Sequence, residues 1–168
     1  DTPLTLAETA SVFGEMLTFR SLLAKEDRPE QRRALLAGKV EDMLNTVVRQ
    51  IAFHDFERQV HDERKDGEIA LDRICEIWMQ VQNESLGPAF TFDDEYKYYW
   101  TYISHFLHVP FYVYAYAFGD CLVNALYRVY TAGTVPDFEA KYLDLLKAGG
   151  TLRHKELLAP FGLDASDP

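Results

Sequence analysis

The chain has 168 residues, of which 48% are hydrophobic and 26% are charged, a balance that fits one globular domain and excludes a disordered chain. Its 27 acidic residues outnumber its 17 basic ones, and the net charge of −10 repels phosphate backbones and anionic lipid surfaces. We therefore expect no nucleic-acid partner and no membrane partner.

Apolar residues recur with helical period along most of the chain, which predicts an all-α, multi-helical fold. Pro29 suits a first helical turn, and Gly149-Gly150 suits a helix end. The apolar stripe after Pro29 continues to a charged segment at 62–67, so one long helix is expected there. We expect six or seven helices in a single unit over residues 1–168. They lie near 6–24, from 29 to the charged segment at 62–67, and near 70–83, 111–131, 138–148 and 155–159, with a short helix and a loop within 90–110.

The first predicted helix carries a line of polar residues, Glu8, Ser11, Glu15 and Thr18, on an otherwise apolar background. A capping box formed by Thr5 and Glu8 is one explanation, but it leaves Glu15 without a role. At a rise of about 1.5 Å per residue, Glu8 and Glu15 lie roughly 10 Å apart along the helix, too far to bind one zinc ion together. If a metal binds, one glutamate is the ligand and the other orients a ligating group.

Two cysteines, Cys75 and Cys121, are far apart in the sequence and lie in apolar helical patterns. Such thiols are typically reduced and buried in proteins of a reducing compartment. No basic stretch followed by an apolar run opens the sequence, so no secretory leader is visible. The apolar run at 106–126 contains Asp120, which is costly in hydrocarbon, and it predicts a buried helix. We expect a cytoplasmic protein.

All ten tyrosines lie in the second half of the chain. A helix that begins near Pro110 places Tyr112 and Tyr116 on one face, whereas Tyr114 points elsewhere. His105 lies one loop earlier. Tyrosine hydroxyls and histidine N–H groups can stabilise negative charge that develops during hydrolysis. Tyrosines in a helical stripe are more often core residues with one satisfied hydroxyl, so both roles stay open.

The residues from Leu4 to Glu15, L-T-L-A-E-T-A-S-V-F-G-E, resemble a segment of the zinc oligopeptidases of the thimet oligopeptidase and oligoendopeptidase F type. In that family an E-x-x-S-x-x-x-E segment carries the third zinc ligand. The resemblance to oligoendopeptidase F extends along nearly the whole chain and implies the multi-helical C-terminal subdomain of a zincin-type peptidase. The other similar stretches are Arg49-Gln50 with Phe56-Glu57, the helix of Trp78, Trp100 with His105, residues 111–117 and residues 145–150.

The resemblance also implies catalytic roles in the aromatic segment. It suggests that His105, Tyr112 and Tyr116 face the substrate. Tyr114 is the alternative if the alignment shifts.

A zinc ion is implied in the same way, with Glu8 as the third ligand and Glu15 as the neighbour that accepts a hydrogen bond from a ligating group. The family's other two ligands and its general base lie on an H-E-x-x-H helix. None of the five histidines has this frame, and the nearest imitation, His61-Asp62-Glu63, is followed by Lys65 where the second histidine belongs. One carboxylate cannot hold a catalytic zinc ion that ordinarily takes three protein ligands.

We therefore expect the chain to be the C-terminal part of a zinc metalloendopeptidase that hydrolyses short peptides. Its partners are then the peptide substrate and the upstream part of the same polypeptide, which supplies the H-E-x-x-H ligands. Alone, the chain is expected to be inactive, and helices separated from their partners expose apolar surface that favours self-association.

Two alternatives stay open. The first is a stand-alone α-helical module that binds a peptide or an apolar ligand in an aromatic groove without catalysis. The second concerns His54, Glu57, Arg58 and His61, which share a helical cluster. This cluster could bind a metal ion, although the sequence favours a solvated helix face.

Overall fold

The computed structural model describes residue 3 and residues 6–166 of the chain. All regular elements within these residues are helices, which confirms the predicted all-α fold. The α-helices are α1 (Thr9–Lys25), α2 (Pro29–Met43), α3 (Arg49–Arg64), α4 (Leu71–Leu86), α5 (His105–His108), α6 (Tyr114–Ala132), α7 (Phe138–Ala148) and α8 (His154–Leu158). A π-helical turn covers Leu44–Val48, and 3-10 helices cover Gly87–Ala89, Asp94–Tyr102 and Ala159–Phe161.

The long helix predicted after Pro29 is confirmed. The π-helical turn at Leu44–Val48 joins α2 to α3, so the helical chain runs without a break to Arg64. Helix α7 has the predicted bounds, and Gly149 ends it in a positive-φ conformation that favours glycine.

The capping box predicted for the first helix is wrong. Helix α1 begins at Thr9, so Glu8 is the residue before the helix and not its third residue. The Glu8 side chain makes no capping hydrogen bond. Thr5, the other member of the predicted box, lies outside the described residues.

Helix α6 begins later than predicted. Its first residue is Tyr114, and Pro110 lies in the turn before it. Phe111 has a φ of 61°, the left-handed conformation, which keeps the turn from continuing into the helix. Tyr112 therefore lies in the turn and not on the helix.

Both cysteines are free thiols. Cys75 is buried as predicted, but Cys121 is exposed, so the predicted burial of Cys121 is wrong. The reason is its position outside the face of α6 on which Leu122 and Leu126 are buried. Among the residues that the structure describes, every helix is too short or too polar to cross a bilayer.

Packing divides the chain into two compact units. The first contains the described residues up to Asp42 together with those from Phe118 onward, and its core joins side chains of α1, α6, α7 and α8. Phe13 of α1 is central, because its ring stacks on Tyr142 with the centroids 4.6 Å apart and on Phe138 at 6.2 Å. The expected single unit over residues 1–168 stays a prediction.

The second unit covers Met43–Ala117. Its core is formed where α3 packs on α4, with Phe53 and Phe56 against Trp78 at ring distances of 5.5 and 5.3 Å. The indole Nε1 of Trp78 donates a hydrogen bond to the backbone oxygen of Tyr96 at 3.0 Å. This bond fixes the 3-10 helix Asp94–Tyr102, which leads to the turn that carries α5.

Candidate functional site

Glu8, the predicted metal ligand, is half-buried at the start of α1. The Ser11 hydroxyl donates to the Glu8 backbone oxygen at 3.0 Å and lies 3.4 Å from the carboxylate oxygen Oε2. The serine of the E-x-x-S pattern thus contacts the glutamate of the same pattern. This contact restricts the orientation of the Glu8 carboxylate. The spacing of the two residues in the sequence does not determine that orientation.

Gly119 of α6 lies against the start of α1. A Cβ added at Gly119 would be only 3.2 Å from the Cβ of Glu8. This distance is shorter than an ordinary van der Waals contact between carbon atoms. Because glycine has no Cβ, Gly119 allows Glu8 to approach α6 this closely.

Glu15, the second predicted carboxylate, is exposed. It lines a groove of about 880 Å³ between α1 and α2, opposite residues that include Leu35 and Lys39. Several apolar residues of α2 stay exposed, among them Leu36 at 45% and Val40 at 57%. Glu15 therefore faces an open groove, and the apolar stripe of α2 is not covered within the described residues.

His105, Tyr112 and Tyr116 come together in the second unit. The Nε2 atom of His105 lies 3.1 Å from the hydroxyl oxygen of Tyr116. The ring of Tyr112 lies 5.9 Å from that of His105 and 5.3 Å from that of Tyr116. Tyr114 is not part of this cluster, because its ring packs on His54 at 5.5 Å.

The pair of His105 and Tyr116 can supply a hydrogen-bond donor to a substrate. In the tautomer with hydrogen on Nε2, the imidazole donates to the phenolic oxygen, so the phenolic O–H of Tyr116 is not used as a donor toward His105. A donor held in this way suits a position where an oxyanion forms during acyl transfer.

Sequence reasoning missed Glu57, which it placed on a solvated face. Glu57 is only 2% exposed, and its Oε1 accepts a hydrogen bond from the backbone N–H of Phe111 at 2.8 Å. Burial raises the pKa of this carboxyl group, although the Phe111 bond and nearby histidines oppose the rise. The spacing of His54, Glu57 and His61 was the available signal, since such residues share one helix face.

The described residues do not fit a complete zinc site. Within them, no group of three or more His, Cys, Asp or Glu side chains is close enough to hold a metal ion. A catalytic zinc ion ordinarily takes three protein ligands. Glu8 could therefore be at most one member of a ligand set.

The chain matches the family model described as Peptidase family M3 over residues 1–168. It is 31% identical over 165 residues to an oligoendopeptidase F homolog of Lactococcus lactis subsp. lactis, covering 98% of this chain and 27% of that protein. It is 29% identical over 164 residues to oligopeptidase PepF of Bacillus subtilis, covering 97% of this chain and 24% of that protein.

A solved structure, oligoendopeptidase-F from Enterococcus faecium, superimposes with a TM-score of 0.81 and 29% identity, covering 98% of this chain and 31% of that one. The resemblance drawn from sequence motifs is thus confirmed. The chain spans about a quarter of the length of the curated relatives described above.

Proposed function

Because the chain belongs to peptidase family M3, we propose that it is part of a zinc-dependent metalloendopeptidase that hydrolyses peptide bonds in short peptides. The observation that carries the proposal is the cluster of His105, Tyr112 and Tyr116, in which His105 Nε2 lies 3.1 Å from the Tyr116 hydroxyl. The names of the oligoendopeptidase relatives support the same chemistry. The two free cysteines support a cytoplasmic enzyme.

In this proposal the aromatic cluster faces the substrate. The Tyr116 hydroxyl donates a hydrogen bond to the scissile carbonyl oxygen as negative charge develops there, and His105 holds the hydroxyl in place. Tyr112 packs beside both rings and closes the cluster. Tyr114 stays the alternative donor, although its ring lies against His54.

Glu8 supplies one zinc ligand, and the contact with Ser11 supports this role because an oriented carboxylate binds a metal more readily. Glu15 accepts a hydrogen bond from a ligating group. The other ligands come from a part of the polypeptide outside this chain, which is therefore its essential partner. The chain alone is inactive.

The test compares the full-length gene product with the 168-residue chain. We expect stoichiometric zinc and cleavage of short fluorogenic peptides from the full-length product, and neither from the chain alone. A chelator abolishes the cleavage, and Glu8→Gln lowers the zinc content. Zinc-dependent turnover by the chain alone would contradict the incomplete ligand set, whereas peptide binding without cleavage by the full-length product would support the binding module.

The role of the tyrosine hydroxyl is tested by Tyr116→Phe. Loss of one oxyanion donor typically lowers kcat by about 10²–10³-fold, and we expect a loss of this order with little change in zinc content. Tyr99→Phe is the matched control, because Tyr99 is 56% exposed and stacks on Tyr96 outside the cluster. If Tyr114→Phe lost the activity and Tyr116→Phe kept it, the oxyanion donor would be Tyr114 and not Tyr116.

A further inference from the structure

Glu57 of α3 is a buried carboxylate that the proposed chemistry does not use. It is 2% exposed, and within the described residues its Oε2 atom has no hydrogen-bond partner. Burial of an ionisable group without full hydrogen bonding destabilises a fold. The burial of Glu57 therefore lowers the stability of the fold. What Glu57 contributes in return is a contact with another segment of the chain.

That contact is with the backbone of Phe111. The Oε1 atom of Glu57 accepts from the Phe111 N–H at 2.8 Å, across 54 positions of sequence. Phe111 has a φ of 61°, a conformation that a bulky side chain rarely adopts without support from its surroundings. Glu57 satisfies the backbone donor at the one strained residue of this turn.

Two further residues of α3 hold the side chain of Phe111. The ring of His61 lies 4.7 Å from the Phe111 ring, and that of His54 lies 6.2 Å from it. His54, Glu57 and His61 share one face of α3, so this helix contacts both the backbone and the ring of Phe111. The turn is thus determined by α3 and not by its own sequence.

The turn joins the elements that carry the aromatic cluster. Helix α5 carries His105, α6 carries Tyr116, and Tyr112 follows Phe111 directly. A change in φ at Phe111 would redirect α6 relative to α5. The 3.1 Å distance between His105 and Tyr116 depends on that direction.

We propose that Glu57 is a positioning residue: its carboxylate oxygen binds the Phe111 N–H, holds the left-handed turn, and thereby keeps Tyr112 and Tyr116 beside His105. The catalytic consequence rests on the proposed peptidase function, whereas the structural role of Glu57 does not. The essential property of Glu57 is its reach, meaning a side chain long enough to place an acceptor oxygen at the Phe111 N–H; its charge is not essential.

Two substitutions in the full-length gene product separate reach from charge. Glu57→Gln keeps an acceptor oxygen at the same distance from the backbone, whereas Glu57→Asp keeps the carboxylate but withdraws it by one methylene group. We expect Glu57→Asp to increase hydrogen exchange at the Phe111 amide at least tenfold and to lower kcat about tenfold or more with little change in KM, since small displacements of catalytic groups cost large factors. Glu57→Gln stays within about threefold of the parent in both measurements.

Gln82→Asn is the matched control. Gln82 lies in the same unit, is 1% exposed, and uses Oε1 to accept from the Tyr96 hydroxyl at 3.1 Å. The substitution also withdraws a buried acceptor by one methylene group, so it carries a similar loss of stability. We expect it to leave Phe111 exchange and kcat near the parent values.

The outcomes separate this proposal from the proposed function. Unchanged Phe111 exchange in Glu57→Asp would overturn it, as would an equal loss of kcat in Glu57→Gln or Gln82→Asn. If the parent cleaves no peptide, the peptidase function fails, but exchange at Phe111 still decides whether Glu57 holds the turn.

Discussion

Asp120 is a carboxyl group of the first unit whose burial disfavours its charged form. It lies on α6, is 3% exposed, and accepts a hydrogen bond from the Asn124 side chain at 3.1 Å. Burial raises the pKa of this carboxyl, and the positive charge of Lys39 opposes the rise only in part. The folded chain therefore keeps the Asp120 proton to a higher pH than the unfolded chain does.

This difference predicts how stability changes with pH. As pH rises from the unfolded value of about 3.9 through the folded pKa of Asp120, the free energy of unfolding falls. Asp120→Asn removes this loss, because an amide keeps the Asn124 contact without a charge. We expect the variant to exceed the parent in stability at pH 7 and to approach it at pH 3, as measured by urea unfolding across this range.

Asp164→Asn gives a control of opposite sign. Asp164 accepts hydrogen bonds from the backbone and the hydroxyl of Ser166 at 2.9 and 2.7 Å, and these bonds lower its pKa. The stability that they contribute is present above the unfolded pKa and is lost as pH falls through the folded pKa. The variant should therefore be the less stable at pH 7. A stability difference for Asp120→Asn that does not change with pH would contradict the pKa assignment.

At the scale of elements, Gly119 decides how closely α1 and α6 approach. Alanine is favoured over glycine inside a helix by about 1 kcal/mol, so Gly14→Ala in α1, with open space around the added Cβ, should stabilise the chain by about that amount. Gly119→Ala adds a carbon 3.2 Å from the Glu8 Cβ, which must move. We expect Gly119→Ala to gain less than Gly14→Ala, as measured by urea unfolding.

The displacement of Glu8 gives a second measurement of the same contact. In the full-length gene product, Gly119→Ala should weaken zinc binding, whereas Gly14→Ala should not. Equal stability gains for both variants, together with unchanged zinc affinity, would show that the Glu8 contact with α6 has no consequence.

The elements also show what the sequence could predict. Helix α7 has its predicted bounds because its stripe, its first turn and Gly149 are local signals. The predicted start of α6 was wrong because the left-handed conformation of Phe111 depends on a hydrogen-bond acceptor on α3, which the local sequence does not reveal. For the same reason motif spacing did not identify Glu57, since burial of a charged side chain arises from tertiary contacts.

At the scale of the whole molecule, the chain spans about a quarter of its curated relatives, and its surface carries apolar residues that no described element covers. The groove between α1 and α2 has Leu22, 52% exposed, on one side, and Leu36 and Val40 stay exposed on α2. Leu36 and Val40 are four positions apart and so share one face of α2, and an exposed apolar face favours association. We propose that a second copy of the chain covers the α2 face of Leu36 and Val40 when the chain is isolated.

Leu36→Glu tests that proposal, with Leu152→Glu as its matched control. Both leucines are 45% exposed, and both substitutions add the same negative charge to a chain of net charge −10, so general repulsion is equal. Burial of an unpaired charge at an interface weakens association, here by roughly tenfold or more. Sedimentation equilibrium of the 168-residue chain should show self-association that Leu36→Glu reduces and Leu152→Glu leaves intact. A parent chain that stays monomeric at high concentration, or equal dissociation by both variants, would exclude the α2 face of Leu36 and Val40 as the contact, because only Leu36 lies on α2.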